Sequence, residues 1–155
     1  MKNTLTTTMI AISLAFVASA AALGADVPTC AVCNMKVDAK HNVQYRYVLE
    51  SGKKIPIGSL SCAKSYWGEH KDDKLVFEAT DFVTGKWKKA DDGHFLVGSK
   101  LKVGNGMDKV AVLFFADADL AKKAKAANGG MIVKLPDALK HASGGGHHYH
   151  KGHEH

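Results

Sequence analysis

Arginine is almost missing from this 155-residue chain, in which Arg46 stands alone among 21 basic side chains. Nucleic-acid binders concentrate arginine and interleave it with aromatics, so the net charge of +6 points elsewhere. It comes from scattered lysines such as Lys53-Lys54, Lys88-Lys89 and Lys122-Lys123. These read as a solvated surface with modest attraction for acidic partners. Long apolar runs are missing as well. Met9 to Val17 is apolar, but a membrane-spanning helix needs about 20 such residues. Cysteine is scarce and odd in number, with Cys30, Cys33 and Cys62 making up the whole set. Three cysteines cannot build a disulfide framework without leaving a thiol over.

The first residues have the order of a secretory signal peptide. Lys2 supplies a positive start, the apolar run follows, and Ala18-Ser19-Ala20-Ala21-Ala22 offers small residues for cleavage. We expect residues 1–25 to be a signal segment, cut after Ala20, Ala22 or Ala25, and the mature chain to be periplasmic. A retained N-terminal anchor is the alternative. No cysteine ends the apolar run, so no lipid anchor is expected there. Residues 26–140 are enough for one small domain.

Within that domain the pattern is α+β. Val43, Tyr45, Tyr47 and Leu49 alternate with polar residues, which predicts a strand over residues 41–49. Ser51-Gly52 is a turn, and residues 54–57 form a second strand. Ser59 or Ser61 can cap a helix reaching Glu69, with Leu60, Ala63 and Trp67 on one face. A strand over residues 75–79 and a Thr84-Gly85 turn before Trp87 complete this half. The second half repeats the rhythm. Residues 95–97 and 110–115 read as strands, the latter buried. Asp117 caps a helix to about Ala127, with Leu120, Ala121 and Ala124 inward, and Asn128-Gly129-Gly130 ends it. Met131 to Val133 is a last strand, with Met131 read as core. Two halves, about 41–82 and 93–135, thus both run strand-strand-helix-strand, with weak identity between them. A short helix over 136–141 precedes Ser143-Gly144-Gly145-Gly146, a flexible linker. The remainder of the 141–155 tail, rich in histidine, has no means of forming a core and is expected to be disordered.

Chemistry concentrates in Cys30-Ala31-Val32-Cys33-Asn34-Met35. Thiolate and thioether are soft ligands and select Cu(I) over hard cations. The C-x-x-C spacing lets two sulfurs converge across a tight turn, and Met35 adds a third. Three other readings use the same residues. Cys30 and Cys33 could form a structural disulfide in an oxidising compartment. They could be a redox pair, although such a pair normally follows a strand and opens a helix. They could be half of a zinc site, although no second CxxC exists. Cys62 lies in the first turn of a helix, where the N-terminus favours a thiolate; a small buried hydrophobe is the alternative. Met107 sits in the glycine-rich loop Gly104-Asn105-Gly106-Met107-Asp108, where packing gives a methionine little reason to be. In the tail, His147, His148, His150, His153 and His155, with His141, make a loose binder for Cu(II), Ni or Zn.

The ordered series of motifs resembles the NosL family of copper-binding accessory proteins in nitrous oxide reductase maturation. The resemblance runs from about Thr29 to Val133. It rests on Cys30-x-x-Cys33-x-Met35, Gly58-Ser59-Leu60-Ser61-Cys62, Thr80-Asp81-Phe82-Val83-Thr84-Gly85-Lys86-Trp87, the Gly106-Met107 loop and Gly129-Gly130. It implies two similar ββαβ halves, an architecture also similar to a domain of organomercurial lyase. It implies a periplasmic Cu(I) carrier and not an enzyme, with Cys33, Met35 and Met107 as ligands and Cys30 beside them. The implied partner is an apo copper enzyme, nitrous oxide reductase or another exported copper protein, with membrane-associated assembly factors. This chain departs from the family in that it lacks a lipidation cysteine, has Asn34 where the family often has glycine, reads Gly106-Met107-Asp108 where the family loop often reads Pro-Met-Gly, and carries a histidine tail that is not part of the family core. The enzyme alternatives are a thiol-disulfide oxidoreductase and an organomercurial-lyase-like enzyme, for which Asp81 would have to approach the cysteines as the general acid. A third reading is a metal buffer or sensor centred on the histidine tail.

Overall fold

The computed structural model describes residues 27–37, 43–101 and 111–142. The expected signal segment, Met107 and the tail histidines from His147 onward lie outside these residues. Among the described residues no helix is long and apolar enough to cross a membrane.

The first half is an antiparallel sheet with one helix. Strands β1 (Tyr45–Leu49), β2 (Lys54–Ile57) and β3 (Leu75–Thr80) flank helix α1 (Leu60–Glu69) in sequence, and β4 (Trp87–Lys89) extends the sheet. The strand order is β2-β1-β3-β4. Alternation along β1 works as the sequence implies. Tyr45 and Tyr47 are buried while Arg46 and Val48 face outward, half-covered. On the inner face Tyr47 stacks on Tyr66 and on Phe77, and its hydroxyl donates to the Ala63 carbonyl of α1 at 2.9 Å. On the outer face Arg46 binds Glu78 at 2.6 Å and lies 3.9 Å over the Trp87 ring. That double engagement suits a planar guanidinium and not an ammonium, which gives the lone arginine its place in a lysine-rich chain.

The second half repeats the plan. Strands β5 (His94–Val97), β6 (Val112–Phe115) and β7 (Met131–Val133) accompany helix α2 (Ala118–Asn128), in the order β6-β5-β7. In each half the first strand is central and pairs antiparallel with both others. The ββαβ repeat expected from the sequence is therefore the architecture of the chain. All four residues of β6 are buried. Gly129 caps α2 with φ 69°, and Gly130 follows at φ 93°, where an added Cβ would lie 2.8 Å from the Val97 carbonyl. Helix α3 (Leu135–Ala142) packs on α1 and on β5, joining the halves.

Four local expectations need correcting. Met131 is 45% exposed, because β7 is an edge strand with a partner on one side only. Trp67 is also 45% exposed; it lies at the rim of the aromatic cluster, stacked on Tyr47, and not in the core. Residues 87–89 form a strand where only a turn and a tryptophan were expected, since three residues are too few to display alternation. Helix α3 runs one residue further at each end than the helix expected over 136–141.

Candidate metal centre

Cys30 and Cys33 sit in a hairpin that packs beside the edge of the first sheet. Thr29 and Lys36 form its bridge. Inside it Cys30 N–H donates to the Met35 carbonyl at 2.8 Å, and Asn34 N–H donates to the Cys30 carbonyl at 3.0 Å. The turn needs a left-handed residue, and Asn34 supplies it at φ 57°; asparagine is among the few residues that tolerate this region. Ala31 N–H then donates to the Pro56 carbonyl at 3.0 Å, docking the hairpin on β2.

That docking brings in Cys62. Ser59 caps α1, its hydroxyl accepting from Cys62 N–H at 3.1 Å, so the third helical residue turns its side chain toward the hairpin. The sulfurs of Cys30, Cys33 and Cys62 lie within 4.8 Å of one another, and all three cysteines are free. Among the described residues no histidine or carboxylate joins them. Cys30 is fully buried and Cys62 nearly so, while Cys33 is half-buried.

The surroundings favour an anion at Cys30. The Cys62 thiol donates to its sulfur, and so do the N–H groups of Cys33, Val32 and Gly58. Together these work against burial and hold its pKa below the ordinary thiol range. Cys62 is pushed the other way, first by its hydrogen bond to Cys30 and then by burial. The site thus sets the Cys30 sulfur among backbone amides and the Cys62 thiol, with the half-buried Cys33 at its rim.

The sequence singled out Cys30, Cys33, Met35, Met107 and Cys62. The fold brings the three cysteines together. Met35 closes the hairpin through its carbonyl, and the residue is 50% exposed. Met107 and the tail histidines are outside the described residues. The pairing of Cys62 with the CxxC was left open by the sequence. Its signal was Ser59, whose capping role fixes where the helix starts and hence which way Cys62 points.

The redox-pair geometry is not present, since the CxxC occupies a hairpin turn and opens no helix. Nor is Asp81 a general acid near the cysteines. Its Oδ1 accepts from Val83 N–H, Thr84 N–H and the Thr84 hydroxyl, and its Oδ2 accepts from Ala116 N–H at 2.8 Å. Burial alone would raise its pKa, but these four donors lower it. Asp81 is a structural carboxylate that ties the β3–β4 hairpin to the second half.

No family model matches this sequence, and no curated protein does. Comparison of structures is informative where sequence is not. The fold is similar to that of NosL. The crystal structure concerned is that of the copper chaperone NosL from Shewanella denitrificans, with TM-score 0.58 and 16% identity over 71% of this chain and 88% of that one. The NosL-like fold thus spans both halves, and the three cysteines belong to its first.

Proposed function

We propose that this chain is an exported metallochaperone that carries one Cu(I) on Cys30, Cys33 and Cys62, assisted by the thioethers of Met35 and Met107. One observation carries the reading: three sulfurs converge within 4.8 Å, with no hard ligand joining them among the described residues. Metal–sulfur bonds are about 2.3 Å long, so three sulfurs in a plane around an ion lie about 4.0 Å apart. The cluster needs little adjustment to reach that. Structural zinc completes a tetrahedron of four ligands, whereas Cu(I) is satisfied by a few soft donors. Similarity of fold to a copper chaperone supports the same choice.

The gradient of burial suits transfer and not storage. Cys30 is anchored by backbone amides at the bottom of the site, while Cys33 and Met35 lie at its rim. A client ligand can displace rim donors one at a time, so the ion is never released to water. The client is a copper enzyme of the same compartment, and nitrous oxide reductase is the one the sequence resemblance suggests. The histidine tail gathers Cu(II), Ni or Zn with low specificity and raises the local metal concentration.

An anaerobic Cu(I) titration against a competing chelator tests this. One equivalent should bind tightly to the wild-type chain, and Cys33→Ser with Met107→Leu should lower affinity at least tenfold. Unchanged affinity in that double variant would make the assigned site wrong.

A further inference from the structure

The hairpin that carries the cysteines has a structural twin, residue for residue. In the first, Cys30 N–H donates to Met35 O and Asn34 N–H to Cys30 O; in the second, Asp81 N–H donates to Lys86 O at 2.9 Å and Gly85 N–H to Asp81 O at 2.8 Å. The left-handed residue falls at the same place, Asn34 with φ 57° and Gly85 with φ 66°. The outer rungs match too, Thr29 facing Lys36 and Thr80 facing Trp87. Counted with the half that follows it in sequence, each hairpin docks on that half's second strand by the next amide: Ala31 N–H on Pro56 O, Phe82 N–H on Phe114 O.

The match extends to the side chains. Two residues beyond Pro56 lies Gly58 and then the helix cap Ser59; two beyond Phe114 lies Ala116 and then the cap Asp117. Cys30 sulfur receives the amides of Val32, Cys33 and Gly58. Asp81 carboxylate receives those of Val83, Thr84 and Ala116, the corresponding three. Thr84 hydroxyl touches Asp81 as Cys33 neighbours Cys30. Third along the helix, Cys62 gives its amide to Ser59, and Leu120 gives its amide to Asp117.

We infer that the second half holds a silent copy of the thiol site, in which Asp81, Thr84 and Leu120 stand where Cys30, Cys33 and Cys62 stand in the first. The backbone nest is the shared part, a ring of N–H groups that holds an anion. A thiolate in that nest, with two further sulfurs, makes a soft-metal site. A carboxylate whose lone pairs are all committed, with a hydroxyl and an apolar side chain, makes a structural lock. The inference rests on the reading that the first nest takes Cu(I), and it assigns the second nest the same ligand class once its sulfurs are supplied.

The test exchanges the triads in the full chain. The variant Asp81→Cys/Thr84→Cys/Leu120→Cys, kept reduced and anaerobic, is titrated with Cu(I) against a competing chelator beside the wild type. Two tight equivalents are expected in place of one. The reciprocal variant, Cys30→Asp/Cys33→Thr/Cys62→Leu, should keep the wild-type circular dichroism spectrum and a cooperative unfolding transition while losing the tight equivalent. A folded first variant that binds only one equivalent overturns the inference, as does failure of either variant to fold. A wild-type chain that binds no Cu(I) overturns the functional reading instead, and folding of the reciprocal variant still decides whether the nests are equivalent.

Discussion

Asp81 shows how far one side chain's surroundings set its role. It is 2% exposed, carries a charge and satisfies four donors. Removing it would take the shared acceptor from three part-buried amides, and each lost hydrogen bond is worth about 1 kcal/mol. Asp81→Ala should therefore lower stability by about 3 kcal/mol, read as a shift of the urea midpoint. The pH dependence has a definite sign. The folded pKa lies below the unfolded one, so the stabilisation is fully present above the unfolded value of about 3.9. It is lost as the pH falls below that toward the folded value. Melting curves between pH 5 and pH 2, numbers set by that carboxylate range of about 3.9, should fall less steeply for Asp81→Asn than for wild type. Equal slopes would mean that the carboxylate does not hold the hairpin. Cys30 occupies the same kind of nest, which makes it the anchored sulfur, with the half-buried Cys33 at the rim.

Elements were legible in proportion to the strength of their local signals. The starts of α1 and α2 were marked by Ser59 or Ser61 and by Asp117; Ser59 and Asp117 are the caps, their side chains accepting from the amides two or three positions on. Alternating Tyr45 and Tyr47 marked β1, and the wholly apolar Val112–Phe115 marked a buried strand. What the sequence left unread depends on docking. Nothing local shows that the CxxC hairpin lies against β2, because that docking joins backbone groups far apart in sequence, such as Ala31 N–H and Pro56 O. For the same reason the meeting of Cys62 with Cys30 stayed open. The twin hairpins were also hidden: their likeness lies in hydrogen bonding, while Cys30-Ala31-Val32-Cys33 and Asp81-Phe82-Val83-Thr84 share only one residue. The cap is the element on which the site leans. Ser59→Ala should cost about 1 kcal/mol, measured by chemical denaturation. It should also weaken Cu(I) binding, because the first turn no longer holds Cys62 in place. A stability loss with unchanged copper affinity would detach Cys62 from the site.

At the scale of the molecule, the chain reads as one repeated ββαβ unit used for two purposes. One copy presents sulfur, the other locks the halves together, and α3 closes over both. In the proposed function the tail is an accessory to this core. Deleting residues 143–155 should leave the tight Cu(I) equivalent intact while removing most weak Ni or Zn binding, compared by equilibrium dialysis of full-length and truncated chains. Loss of the tight equivalent on truncation would favour a buffer centred on the histidines.

In the proposed site sulfur surrounds the metal, and X-ray absorption at the copper edge of the anaerobically loaded chain is the decisive measurement. An edge typical of Cu(I) and a first shell of sulfur at about 2.3 Å are expected. A shell dominated by nitrogen or oxygen at about 2.0 Å would contradict it.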